Sequence, residues 1–233
     1  MNNEALQRQI LSTYNSLRFG MILMAAATPV VVVLWGYAFG IDWQDSISAY
    51  YFAPFGSELK YSIYPGRVPF VGILFALGSF LYLYKGFSKR ENVALNLAGL
   101  FALGVALCPM YAQTGYIPFS NILHFTFAVL LFLCMAYTAI FCTQDTLQWI
   151  ADPERRARYR ATYRIIGWFM ALFPLIGLAL ALYFHAMQRY VFWIEAAGIW
   201  AFAAYWLTKS RELKESEVEI KAVTGTLTQP LPS

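Results

Sequence analysis

The stretch Phe19-Gly-Met-Ile-Leu-Met-Ala-Ala-Ala-Thr-Pro-Val-Val-Val-Val-Leu-Trp-Gly-Tyr-Ala-Phe-Gly40 decides the fold class, because it carries no charged residue from end to end. A helix needs about 20 mostly apolar residues to cross the hydrocarbon core of a bilayer. This run meets that length, and it is about twice as long as the apolar part of a cleavable secretion signal. It is therefore expected to stay in the protein as a membrane span.

Five further stretches meet or approach the same length, at roughly 68–84, 94–111, 122–142, 164–186 and 190–207. The expected fold is all-α, a polytopic transmembrane bundle of six helices over 19–207 with a long first outer loop. Composition agrees: the 233 residues are 59% hydrophobic and 13% charged, whereas soluble domains run at about 45–50% apolar and about 25% charged. Tyr82, Tyr84, Tyr190 and Trp206 sit at span ends, where aromatic side chains anchor the interface.

The net charge of +4 is an orientation signal and not a nucleic-acid footprint. Fourteen Lys and Arg residues, from Arg8 and Arg18 through Lys85–Arg90 and Arg155–Arg164 to Lys209–Lys221, fall on one side of the six-span layout. Only Lys60, Arg67 and Arg189 fall on the other. The positive-inside rule puts the fourteen, and both chain termini, in the cytoplasm of a multi-pass protein of the inner (plasma) membrane.

Residues 1–18 read as a cytoplasmic segment, with Leu6, Ile10, Tyr14 and Leu17 spaced as on a short helix lying at the interface. Residues 208–233 read as a cytoplasmic tail, charged from Lys209 to Lys221 and disordered at its Thr/Pro-rich end. Ala94, Ala98, Ala102 and Ala106 make a small-residue stripe that lets neighbouring helices approach. That stripe suggests a central place for the third span. Cys108, Cys134 and Cys142 form no disulfide or metal-knuckle pattern.

Polar residues of chemical interest gather on the outer side. The first outer loop carries Asp45, Ser46, Ser48 and Tyr50, continues through Glu58, Lys60 and Tyr61, and ends at Arg67. His124 begins the fourth span, His185 ends the fifth, and Glu195 lies inside the sixth. An ionisable group at membrane depth needs a partner, and Arg67 is the first choice for Glu195.

Three readings of this cluster stand beside one another. His124, His185 and Glu195 could bind zinc with an open position, as in a zinc-dependent membrane hydrolase. The same groups could form a polar network that pins the loop. They could also be the polar end of an amphipathic pocket, its mouth lined by Trp43, Tyr50, Tyr51, Phe52, Phe55, Tyr61, Tyr64, Tyr116 and Phe119. Phosphate-loop, dinucleotide and nucleophile-elbow motifs are absent from the sequence.

Several segments resemble a widespread family of bacterial integral membrane proteins without an assigned activity. They are Asp45-Ser-Ile-Ser-Ala-Tyr-Tyr51, Arg67-Val-Pro-Phe-Val-Gly-Ile-Leu-Phe-Ala-Leu-Gly78, Tyr84-Lys-Gly86, Val105-Ala-Leu-Cys-Pro109, Leu123-His124, Tyr163-Arg-Ile-Ile-Gly167 and Phe192-Trp-Ile-Glu-Ala196, with Ala201-Phe and Trp206-Leu. The resemblance implies a six-helix bundle. The Ser-Ile-Ser element is also similar to one in Frag1/DRAM/Sfk1-type membrane proteins, which implies a lipid-linked role.

The expectation that follows is a membrane protein whose outward-facing pocket holds a lipid or small amphipathic ligand, or docks a partner. The residues of that site are Asp45, Ser46, Ser48, Tyr50, Arg67, His124, His185 and Glu195. No cofactor is required unless the zinc reading holds. The third class is an accessory subunit that assembles with a membrane partner or with copies of itself.

Overall fold

A computed structural model describes residues 3–53, 64–108, 110, 119–184 and 189–227. Among these residues there is no strand. The long helices are α1 (Asn3–Ala38), α2 (Arg67–Leu83), α3 (Lys89–Leu107) and α4 (Phe119–Tyr137), then, past the single-turn α5 (Gln144–Leu147), α6 (Pro153–Phe184) and α7 (Arg189–Ser216). A short α8 (Val218–Thr224) closes the chain. Five of the long helices are long and apolar enough to cross a membrane, and α2 is a shorter apolar sixth. The chain is thus an all-helical bundle of a multi-pass membrane protein.

Local sequence sets where these helices begin and end. Ser88 caps α3 by accepting the Glu91 amide at 3.2 Å, and the Glu91 carboxylate reaches back to the Phe87 amide at 2.7 Å. Asp152 caps α6 by accepting the Glu154 amide at 2.9 Å, with Pro153 at the first helical position, where its missing N–H costs nothing. Between α4 and α5 the helix widens into a π-turn over Thr138–Cys142. Glu217 takes a left-handed conformation (φ 54°) that breaks α7 from α8.

No breaker interrupts residues 3–18, and α1 runs through them as one helix with the span. The N-terminal segment therefore continues the membrane helix and does not lie apart on the surface. At about 1.5 Å per residue its 36 residues exceed the hydrocarbon core, so the first turns project beyond it.

The six long helices pack in a closed ring, in the order α1, α2, α3, α4, α6, α7 and back to α1. The Ala94, Ala98, Ala102 and Ala106 stripe is buried as expected. α3 is nevertheless one member of the ring, between α2 and α4, and not its centre. Its close approach to α2 is made by glycine: a Cβ on Gly99 would sit 2.6 Å from the Gly78 carbonyl oxygen. Large apolar side chains such as Phe19, Leu34, Ile165 and Trp168 are exposed on the outside of the ring, where lipid would cover them.

The chain's two ends meet at one end of the bundle. There Gln7 donates to the Val223 carbonyl, and Arg18 forks onto the Glu219 carboxylate. This is called the terminal end below, and the opposite one the loop end.

Candidate functional site

At the loop end, residues 41–53 fold back over the ring. The Phe192 amide at the start of α7 donates to the Asp45 carbonyl at 2.9 Å, and Trp43 packs on Phe192 and Trp193. Ser46, Ile47, Ser48 and Tyr50 are buried. Tyr50 is keyed against two glycines, since a Cβ on Gly36 would lie 2.7 Å from its ring and one on Gly66 2.5 Å from its carbonyl oxygen. Burial raises the Tyr50 phenol above its ordinary pKa.

The Glu195 carboxylate accepts the Ile47 amide at 2.6 Å and, more weakly, the Ser48 hydroxyl at 3.4 Å. Ser48 and Ser46 share a hydrogen bond of 2.7 Å, and Ser46 accepts the Ala49 amide. The expected pairing of Glu195 with Arg67 does not form. The Arg67 guanidinium lies instead among the rings of Tyr51, Phe52 and Tyr64, at 4.5, 4.8 and 4.9 Å, with Nε donating to the Tyr51 carbonyl. Three π-faces hold the cation, and the loop's own N–H and O–H groups satisfy the acid.

His124 is buried on α4, with Nδ1 2.7 Å from the Cys108 carbonyl past the end of α3. A carbonyl only accepts, so Nδ1 carries the proton, and the Val105 carbonyl bonds the ring as well. Asp45 contributes its backbone carbonyl to the loop anchor. His185 lies outside the described residues, as do Glu58, Lys60, Tyr61, Phe55 and Tyr116. Among the described residues no three His, Cys, Asp or Glu side chains come together as a metal group.

Ser48, His124 and Glu195 share one cavity of about 150 Å³ that lies inside the ring and draws wall from all six long helices. Below these three groups the wall is apolar, with Phe70, Leu77 and Leu81 of α2, Phe132 of α4, Pro174 and Gly177 of α6 and Ile199 and Phe202 of α7. Thr28 also lines it, but its hydroxyl is bonded to the Met24 carbonyl of its own helix. From Phe70 to Leu81 the wall descends about 16 Å, taking about 1.5 Å per residue.

No protein-family model, curated protein or solved structure matches this chain. The site is therefore read from its own geometry.

A second polar cluster lies at the terminal end, where sequence reasoning assigned only solvated charges. Lys209 is fully buried and donates to Thr146 at 2.6 Å, with the Glu212 carboxylate at 3.2 Å and Glu91 at 4.0 Å. Glu212 also accepts from Thr146 and Tyr163. The signal available in the sequence was the spacing Lys209–Glu212, which puts the pair on one helix face beside Tyr205 and Trp206.

Proposed function

We propose that the protein binds a small amphipathic ligand inside its helical ring, with the ligand's polar end at Ser48, His124 and Glu195 and its apolar part against the wall below. The observation that carries this reading is the distribution of polarity around the cavity: three polar groups at one end, hydrocarbon elsewhere. A ligand pocket of this kind is mostly apolar with a few placed polar groups. An accessory subunit that served assembly alone would have no use for a hollow centre. The excess of Lys and Arg at the terminal end supports an orientation with that end in the cytoplasm and the pocket's polar end toward the outer leaflet.

Gly198 offers the test. Its would-be Cβ meets only the Phe132 ring, at 3.5 Å, an ordinary contact, and the residue lines the cavity. A Gly198→Leu side chain should therefore fill the space without displacing a helix. Native mass spectrometry of protein released from nanodiscs is expected to show a retained amphiphile on the wild type and none on Gly198→Leu, at equal thermal stability. Equal occupancy in both proteins, or none in either, would overturn the reading.

A further inference from the structure

A second recess lies outside the ring at the terminal end, between α1 and the last turns of α2. It is an open groove of about 650 Å³, well above the 150 Å³ of the internal cavity and within the roughly 300–1,000 Å³ of ligand sites. Its floor is apolar, made by Leu11 and Phe19 of α1 and the Phe80 ring of α2, which lies so close to Gly20 that a Cβ there would overlap it. Its wall is polar: Arg8, Ser12 and Ser16 recur at every fourth residue of α1, with Asn15 beside them.

These side chains present hydrogen-bond donors. Arg8, Ser12 and Ser16 spend no hydrogen bond and no ion pair on the described residues, whereas the Thr13 hydroxyl, outside the groove, is turned onto the Gln9 carbonyl of its own helix. Asn15 gives its amide oxygen to Arg18 and keeps its NH2 group for another acceptor. No Asp or Glu is among the described residues that line the groove, and Glu4, the one acid of α1, lies a turn further out than Arg8. An anion placed here meets a guanidinium, two hydroxyls and an amide, with no carboxylate in the wall to repel it.

Depth decides where that anion comes from. Phe19 begins the uncharged run of α1 and so marks the edge of the hydrocarbon. Ser16, Ser12 and Arg8 stand about 4, 10 and 16 Å beyond it, at about 1.5 Å per residue. The headgroup layer on each side of a bilayer is about 5–8 Å deep, so the hydroxyls and the Asn15 amide lie at or near its level, directly above the apolar floor. A free phosphate would leave that floor unused.

We propose that the groove holds one anionic phospholipid of the surrounding leaflet. Its phosphodiester is taken by Ser12, Asn15 and Ser16, Arg8 supplies the opposite charge, and its acyl chains leave over Phe19 and Phe80. A zwitterionic head brings an ammonium for which the wall has no carboxylate, so the lipid selected carries net negative charge.

The experiment titrates full-length protein in detergent micelles with dioleoylphosphatidylglycerol or dioleoylphosphatidylcholine and counts bound lipid by native mass spectrometry. The first phosphatidylglycerol is expected to bind at least fivefold more tightly than phosphatidylcholine. Arg8→Gln and Ser16→Leu, both at exposed positions, are each expected to remove most of that preference. Arg158→Gln, which deletes an equally exposed charge on α6, is expected to keep it, as is Gly198→Leu in the internal cavity. Equal affinity for the two lipids would overturn the proposal. Equal losses in Arg8→Gln and Arg158→Gln would overturn it as well, by showing attraction to the basic surface at large. Displacement of the lipid by an equal concentration of glycerol 1-phosphate would reveal a site for free phosphate and exclude the lipid as its occupant.

Discussion

The carboxylate of Glu195 on α7 lies 2.6 Å from the backbone nitrogen of Ile47, 148 residues earlier in the chain. That bond joins the loop after α1 to the last long helix, and it explains how an acid within an apolar helix is tolerated without a cationic partner. Glu195→Ala leaves the buried Ile47 amide unsatisfied and should cost about 1–3 kcal/mol. Hydrogen exchange at Ile47 is expected to accelerate in that variant and to stay near wild type in Glu195→Gln, which keeps a carbonyl acceptor. Unchanged exchange in Glu195→Ala would mean that Trp43 and the Asp45–Phe192 bond hold the loop unaided.

How much of this was legible in the sequence differs between the two ends of the bundle. Hydrophobic run length gave the six helices, because spanning a bilayer imposes a length that composition reveals directly. Ser46, Ser48, His124 and Glu195 were identifiable as polar residues in or beside apolar runs, and the structure brings Ser48, His124 and Glu195 to one cavity. Their partners were not legible. Opposite charge suggested Arg67 for Glu195, but the choice between a carboxylate and three aromatic rings depends on where the loop backbone turns. The Lys209 cluster was missed because charges after an apolar span ordinarily meet water, and only the packing of α5, α6 and α7 around it removes that water.

The contact between Gly78 and Gly99 holds α2 against α3 with no room for a side chain. Gly99→Ala places a Cβ 2.6 Å from a backbone oxygen, so the two helices must part. A loss of about 1–3 kcal/mol is expected, the usual cost of overpacking, read as a lower midpoint of thermal unfolding in detergent. Gly72→Ala in α2 serves as control, because its Cβ would meet nothing within 4 Å.

Arg18 is 1% exposed, and it bonds the Glu219 carboxylate, the Tyr84 hydroxyl and the Asn15 side chain. The pair clasps α1 to α8, so removing residues 217–233 takes away the guanidinium's carboxylate partner. Arg18→Met and the truncation are each expected to destabilise the protein, and their combination by less than the sum, with a coupling of about 0.5–3 kcal/mol. Strict additivity in a double-mutant cycle of Arg18→Met and Glu219→Gln would show the two to be independent.

Lys209 carries the one buried positive charge between Glu91 and Glu212, which approach it at 4.0 and 3.2 Å. Removing one member of a buried ion cluster costs about 3–5 kcal/mol, because the remaining charge keeps its desolvation penalty and loses its partner. Lys209→Met leaves two buried carboxylates facing each other, and it is expected to be the most destabilising of the single substitutions. Glu212→Gln, which removes one of those charges while keeping an acceptor for Thr146 and Tyr163, should recover part of the loss when combined with Lys209→Met. The recovery separates electrostatics from packing: the same methionine fills the same space in both proteins, so only the charge balance differs. Equal melting temperatures for the single and double variants would show that the lysine contributes through the packing of its stem and not through its charge.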